Sequence, residues 1–266
     1  MNHRDVPNVT RIVVHGESGP VLLLVHGFPL DGSMWDGQVD AMASRCRVIA
    51  PDLRGFGRLG PPPLGEATTM EQMADDLASL LDSLGISEPV VLAGLSMGGY
   101  VALAFCRKYP GRLAGLVLCD TRAAADSPET VKARHETARR VLAEGTGPLA
   151  DGMIPRLFAA GSLDDRPELA DAVRRMALRA DRRGAAAALL GMARREDHTG
   201  LLSHIGCPTL LVVGSEDVIT PPEEMRAMRD AIDGARLVEI PDAGHMSPME
   251  RPAAFNGAVG AFLAGL

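Results

Sequence analysis

Short unbroken apolar runs recur along this 266-residue chain, and each ends in a loop of small, kinked or charged residues. Val21-Leu22-Leu23-Leu24-Val25 runs into His26-Gly27-Phe28-Pro29, and Arg47-Val48-Ile49-Ala50 into Pro51-Asp52-Leu53-Arg54-Gly55-Phe56-Gly57. Pro89-Val90-Val91-Leu92-Ala93 meets Gly94-Leu95-Ser96-Met97-Gly98, and the run over 113–119 meets Asp120-Thr121. Thr209-Leu210-Leu211-Val212-Val213 leads to Gly214-Ser215-Glu216-Asp217, and the run over 236–240 leads to Pro241-Asp242-Ala243-Gly244-His245. Runs without polar alternation suit strands covered on both faces, the mark of a mostly parallel sheet. The run over 10–15 reads as an antiparallel edge strand.

Between these runs the period changes to that of helices. Met73, Leu77, Leu80, Leu81 and Leu84 form a stripe that predicts a helix over 70–84. Val101, Leu103, Ala104 and Phe105 mark another over 100–109. Pro221 and Pro222 suit the first turn of a helix reaching about 232, and Arg251-Pro252 opens a last one. Strands alternating with helices predict an α/β doubly wound sheet. Residues 121–204 break the alternation with helical patterns over 128–142, 149–158, 167–182 and 184–195. They are expected to form a helical cap inserted into a core of residues 1–120 and 205–266. Arg58-Leu59-Gly60-Pro61-Pro62-Pro63-Leu64-Gly65 reads as a stiff connector.

Composition narrows the partners. The net charge of −7 argues against a nucleic-acid partner, and the arginines of 121–204 alternate with acids, as on solvated helix faces. Aromatics are only 3 % of the chain, so packing falls to Leu, Val, Ala and Met. No run approaches the length of a membrane span. Cys46, Cys106, Cys119 and Cys207 lie far apart without metal-ligand spacing. Reduced thiols and an N-terminus without an apolar leader point to a cytoplasmic setting.

Ser96 carries the chemistry. It lies between a predicted strand and a predicted helix, in a turn so tight that glycines must flank it. Such a hydroxyl needs a base, and the base needs an acid to fix its tautomer. For a serine in this setting the chain order is serine, acid, histidine. Asp217 and His245 supply it from loops after two later strands; Glu216, Asp242 and Asp120 compete for the acid position. His3, His15, His135, His198 and His204 read as ordinary polar residues. Backbone N–H groups of Met97 and Phe28 are the expected oxyanion donors. Phe28, Leu30, Trp35, Ile219 and Met246 adjoin these residues and suggest an apolar substrate pocket, closed by Met153, Leu157 and Phe158.

The stretches 26–29, 52–57, 94–99, 214–217 and 244–245 together resemble the α/β-hydrolase superfamily. Gly-Leu-Ser-Met-Gly-Gly with the downstream Asp and Gly-His loops is most similar to small carboxylesterases and 3-oxoadipate enol-lactonase-like hydrolases. Arg58-Leu59 departs from the Arg-Ser of many relatives. The resemblance implies an eight-stranded, mostly parallel sheet, a helical cap and no cofactor. The expected activity is cleavage of small to medium, mainly apolar carboxylic esters through an acyl-enzyme. Lactone hydrolysis is the alternative, with perhydrolysis or a slow-turnover receptor of small molecules behind it.

Overall fold

The computed structural model describes residues 10–15, 19–57 and 65–266. Seven strands form one sheet: β1 (Thr10–His15), β2 (Val21–Val25), β3 (Arg47–Asp52), β4 (Val90–Leu95), β5 (Leu113–Cys119), β6 (Thr209–Gly214) and β7 (Arg236–Ile240). Their order is β1-β3-β2-β4-β5-β6-β7. β1 pairs antiparallel with β3, and every other neighbouring pair is parallel. The expected count of eight is therefore corrected to seven among the described residues. The chain's own apolar runs number seven as well; the eighth strand came from the resemblance alone. The proline-rich connector over 58–64 lies outside the described residues.

The apolar runs become strands because both faces find cover. Val21, Leu23 and Val25 of β2 join one buried cluster, and Leu22 and Leu24 join the other. Leu211 and Val213 divide from Leu210 and Val212 in the same way on β6. This is the period-two geometry of a strand with two buried faces.

Helices supply the cover. On one side lie α2 (Met70–Ser83) and α3 (Met97–Lys108), through residues such as Met73, Leu77, Val101 and Phe105. On the other, α1 (Asp36–Met42) contributes Val39 and Met42. Thr69 starts α2 with a reciprocal capping box: its hydroxyl accepts the Gln72 N–H at 3.2 Å while the Gln72 side chain accepts the Thr69 N–H at 2.9 Å.

Between β5 and β6 the chain forms α4 (Pro128–Glu144), α5 (Gly147–Leu157), α6 (Ser162–Asp165), α7 (Glu168–Arg179) and α8 (Arg182–Met192). This helical insertion straddles the sheet. Ala138 and Val141 of α4 and Ala185 and Leu189 of α8 continue the first buried cluster. Ile154 and Leu157 of α5 and Val173 and Met176 of α7 continue the second. α8 approaches the core so closely that a Cβ on Gly184 would fall 1.9 Å from the Gly55 carbonyl oxygen, and one on Gly191 would fall 1.8 Å from that of Thr68. The two glycines are seven residues apart and share one helix face. The Thr68 N–H donates to the Ala187 carbonyl at 3.0 Å along the same seam.

After β6 come α9 (Pro222–Ala231), then β7, α10 (Ser247–Glu250) and α11 (Pro252–Leu263); Phe255, Val259 and Phe262 of α11 cover the second face. No helix among the described residues is long and apolar enough to cross a membrane.

Candidate active site

β2 and β4 are neighbours, and from them the sheet is built outward in opposite directions, to β3 and to β5. The loops at their carboxyl ends lie where open α/β sheets place their ligands. Ser96 directly follows β4 and caps α3 with φ +53° and ψ −113°. A non-glycine residue in that region is strained by roughly 1–3 kcal/mol and persists only where its surroundings enforce it. Here they do: the Ser96 N–H donates to the Cys119 carbonyl at 2.9 Å, and the Thr121 hydroxyl donates to the Ser96 carbonyl at 2.8 Å. Gly98 makes the turn possible, because a Cβ there would fall 2.2 Å from the Val25 carbonyl oxygen. Ser96 is part-exposed while both its neighbours are buried.

Asp217 follows β6 and His245 follows β7, two and three strands from β4, and their side chains meet. His245 Nδ1 donates to Asp217 Oδ2 at 2.8 Å, and both residues are 3 % exposed. That bond assigns the tautomer and leaves Nε2 as the basic nitrogen. Asp217 is well supported. The Thr220 hydroxyl donates to Oδ2 at 2.5 Å, and the N–H groups of Ile219 and Thr220 donate to Oδ1 at 2.7 and 3.0 Å. Burial opposes its ionisation, but the His245 ring and the Thr220 bonds outweigh it and hold the carboxyl below its ordinary value.

The competing acids are placed differently. Glu216 and Asp242 are exposed, and Asp242 sits in a turn at φ +51°. Asp120 is fully buried: Oδ1 accepts the Gly214 N–H at 2.8 Å and Oδ2 the Ser247 hydroxyl at 2.5 Å. Burial and the nearby Asp217 carboxylate raise its pKa well above the ordinary range. Asp120 thereby ties the loop before Asp217 to the loop after His245.

The loop after β2 is set by His26. Its Nδ1–H donates to the Gly27 carbonyl at 2.9 Å, and its Nε2 accepts the Leu53 N–H at 2.9 Å. Full burial depresses its pKa to about 4, so the ring is neutral. The loop it steadies comes close to the serine: a Cβ on Gly27 would fall 3.5 Å from Ser96 Cβ. Met97 is the first residue of α3, so its N–H has no partner within the helix. Phe28, the other expected donor, follows Gly27 directly.

The expected pocket residues divide by exposure. Phe28, Met153 and Ile219 are part-exposed. Leu30, Phe158 and Met246 are buried in the second cluster, and Trp35 is fully buried against Phe255, with ring centroids 5.9 Å apart. Several residues gave no signal in the sequence. Thr220 three positions after Asp217 fits a turn built on an aspartate side chain, but Ser247 and Glu250 reveal their places only once the loops are folded.

Solved structures share this architecture. A thermophilic esterase from Thermogutta terrifontis, with malate bound, superposes with a TM-score of 0.92 at 50 % identity, covering 96 % of this chain and 93 % of that one. The enol-lactonase of Burkholderia xenovorans LB400 gives a TM-score of 0.87 at 32 % identity over 96 % of both chains. Among curated proteins, 3-oxoadipate enol-lactonase 2 of Acinetobacter baylyi is 28 % identical over 244 residues, 92 % of this chain and 88 % of that protein. The sequence pattern of the alpha/beta hydrolase family matches residues 22–258, from β2 into α11, and the chain belongs to that family.

Proposed function

We propose that this hydrolase is a serine esterase that cleaves small, mainly apolar carboxylic esters through an acyl-enzyme. The observation that carries the reading is the buried His245–Asp217 bond on the same sheet edge as the strained turn of Ser96. His245 Nε2 takes the proton of the Ser96 hydroxyl as Ser96 attacks the ester carbonyl. The N–H groups of Met97 and Phe28 stabilise the oxyanion; one such donor is worth about 2.7–4 kcal/mol. His245 then protonates the leaving alkoxide and activates water to release the acid. Asp217 stays ionised and steadies the imidazolium.

In this reading residues 121–204 act as a cap over the site, and Phe28, Met153 and Ile219 supply its part-exposed apolar wall. Neutral esters are favoured because many of the cap arginines already have acidic partners. Arg122 pairs with Glu224 at 3.0 Å, Arg195 with Asp126 at 2.5 Å, Arg174 with Asp151 at 2.7 Å and Arg179 with Asp31 at 2.6 Å. The second reading, an enol-lactonase for carboxylate-bearing substrates, draws support from the lactonase relatives and from the malate-bound esterase. The four free cysteines fit a reducing compartment.

Ser96→Ala should reduce turnover of p-nitrophenyl acetate by roughly a millionfold, to background, and abolish labelling by a fluorophosphonate probe. Retained turnover sinks the assignment. Comparing kcat/KM for neutral esters with that for an anionic enol-lactone separates the two substrate readings.

A further inference from the structure

Glu250 is 1 % exposed, and its two carboxylate oxygens serve two distant parts of the chain. Oε1 accepts the Gly244 N–H at 2.8 Å, and Oε2 accepts the Ala159 N–H at 2.8 Å. Gly244 immediately precedes His245. Ala159 belongs to the stretch that follows α5 in the insertion. On the far side of His245, the Met246 N–H donates to the Leu157 carbonyl at 3.1 Å. Both chain neighbours of the histidine are therefore held by hydrogen bonds that join its loop to residues 157–159. Apolar packing closes the same seam, since Leu157, Phe158 and Met246 are buried in one cluster. Arg166 braces it from outside, donating from Nη1 to the carbonyls of Met249 and Glu250 at 3.3 and 3.0 Å.

We propose that Glu250 is a positioning residue: its carboxylate clamps the His245 loop to residues 157–159 and so aims the imidazole that the esterase reading above requires. The chemistry of the side chain fits this task. Both partners are N–H donors, so the bridge needs two accepting oxygens on one buried group. A carboxylate provides them, and its bonds to backbone N–H groups are charge-assisted. Glutamine keeps the shape but offers only one accepting oxygen and turns an NH2 group toward the other N–H. Placement of this kind matters because small misplacements of a reacting group are costly even when the change lies away from the chemistry.

The test compares wild type with Glu250→Gln. Tyr109→Phe serves as a remote comparison that loses the bond from the Tyr109 hydroxyl to Asp75 at 2.6 Å. Three quantities are read: kcat and KM for p-nitrophenyl acetate, thermal midpoint, and the proton resonance of His245 Nδ1–H, assigned by its loss in His245→Gln. In Glu250→Gln, kcat should fall about ten- to hundredfold while KM changes less than about twofold, and the resonance should shift or broaden although Asp217 is untouched. Tyr109→Phe should keep the wild-type kcat. If Glu250→Gln does not fold, Arg166→Gln takes its place, with a smaller fall in kcat and a smaller shift of the same resonance expected. A wild-type kcat with an unmoved resonance in the folded variant overturns the proposal. Should Ser96→Ala retain esterase activity, the esterase reading falls, and the resonance alone then decides the role of Glu250.

Discussion

Burial of a single ring gives the protein a measurable acid sensitivity. His26 is neutral in the fold with its pKa depressed to about 4, chiefly because the ring is desolvated. In the unfolded chain it titrates near its ordinary value of about 6.5. Between these values the unfolded chain binds more protons, so the stability contribution is complete above about pH 6.5 and is lost as the pH falls toward about 4, on the order of 3 kcal/mol in all. Asp120, with its raised pKa, acts in the opposite sense and is the same in wild type and in His26→Asn. Urea unfolding at pH 7 and pH 4.5 should therefore show a steeper loss for wild type than for His26→Asn. Equal slopes would refute a neutral buried His26. At this scale the sequence was informative where local geometry carries the chemistry. The strand–turn–helix setting of Ser96, and the loops after β6 and β7 that hold Asp217 and His245, were legible from residue type and order. The bridges of Asp120 and Glu250 were not, because each joins segments that only the fold brings together.

Helix existence followed from periodicity, and helix ends followed from caps. The pattern over 167–182 suggested one long helix, yet α7 ends at Arg179, because Asp181 caps α8 and its side chain accepts the Arg183 N–H at 2.7 Å. Short elements such as α6 and α10, each four residues long, are below the length at which a 3.6-residue period is visible. The end of α7 also carries a link from the insertion to the loop after β2. Arg179 Nε donates to Asp31 Oδ2 at 2.8 Å. Burial opposes ionisation of Asp31, but the Ser33 bonds and the Arg179 guanidinium prevail and lower its pKa. Because Arg179 is half-exposed, Arg179→Gln should cost no more than about 1 kcal/mol, and the difference from wild type should shrink in high salt. A salt-independent loss measured by urea unfolding would argue against an electrostatic link.

The whole molecule combines a sheet that the apolar runs foretold with an insertion whose attachment they did not. Seven runs became seven strands among the described residues; the five inner ones are largely buried on both faces, which leaves a run few alternatives to a central strand, and β1 and β7 take the edges. The attachment is different in kind, because it depends on side chains far apart in the sequence. The Arg195 guanidinium lies 4.2 Å from the centre of the Tyr100 ring on α3 and pairs with Asp126 at 2.5 Å, with both side chains of the pair 2 % exposed. Arg195→Ala should destabilise the protein by about 2 kcal/mol, since the Asp126 carboxylate loses one of its two guanidinium partners and keeps Arg134. Core and insertion should still unfold in one transition followed by far-ultraviolet circular dichroism and by tryptophan fluorescence. Two separated transitions would show that the insertion folds on its own.

The glycine face of α8 has a consequence for engineering. A helix whose backbone rests directly on Gly55 and Thr68 leaves no room for a foreign side chain at Gly184 or Gly191. Chimaeras that exchange the entire insertion would have to recreate that contact atom by atom. Grafts limited to residues 160–179 leave this footing in place.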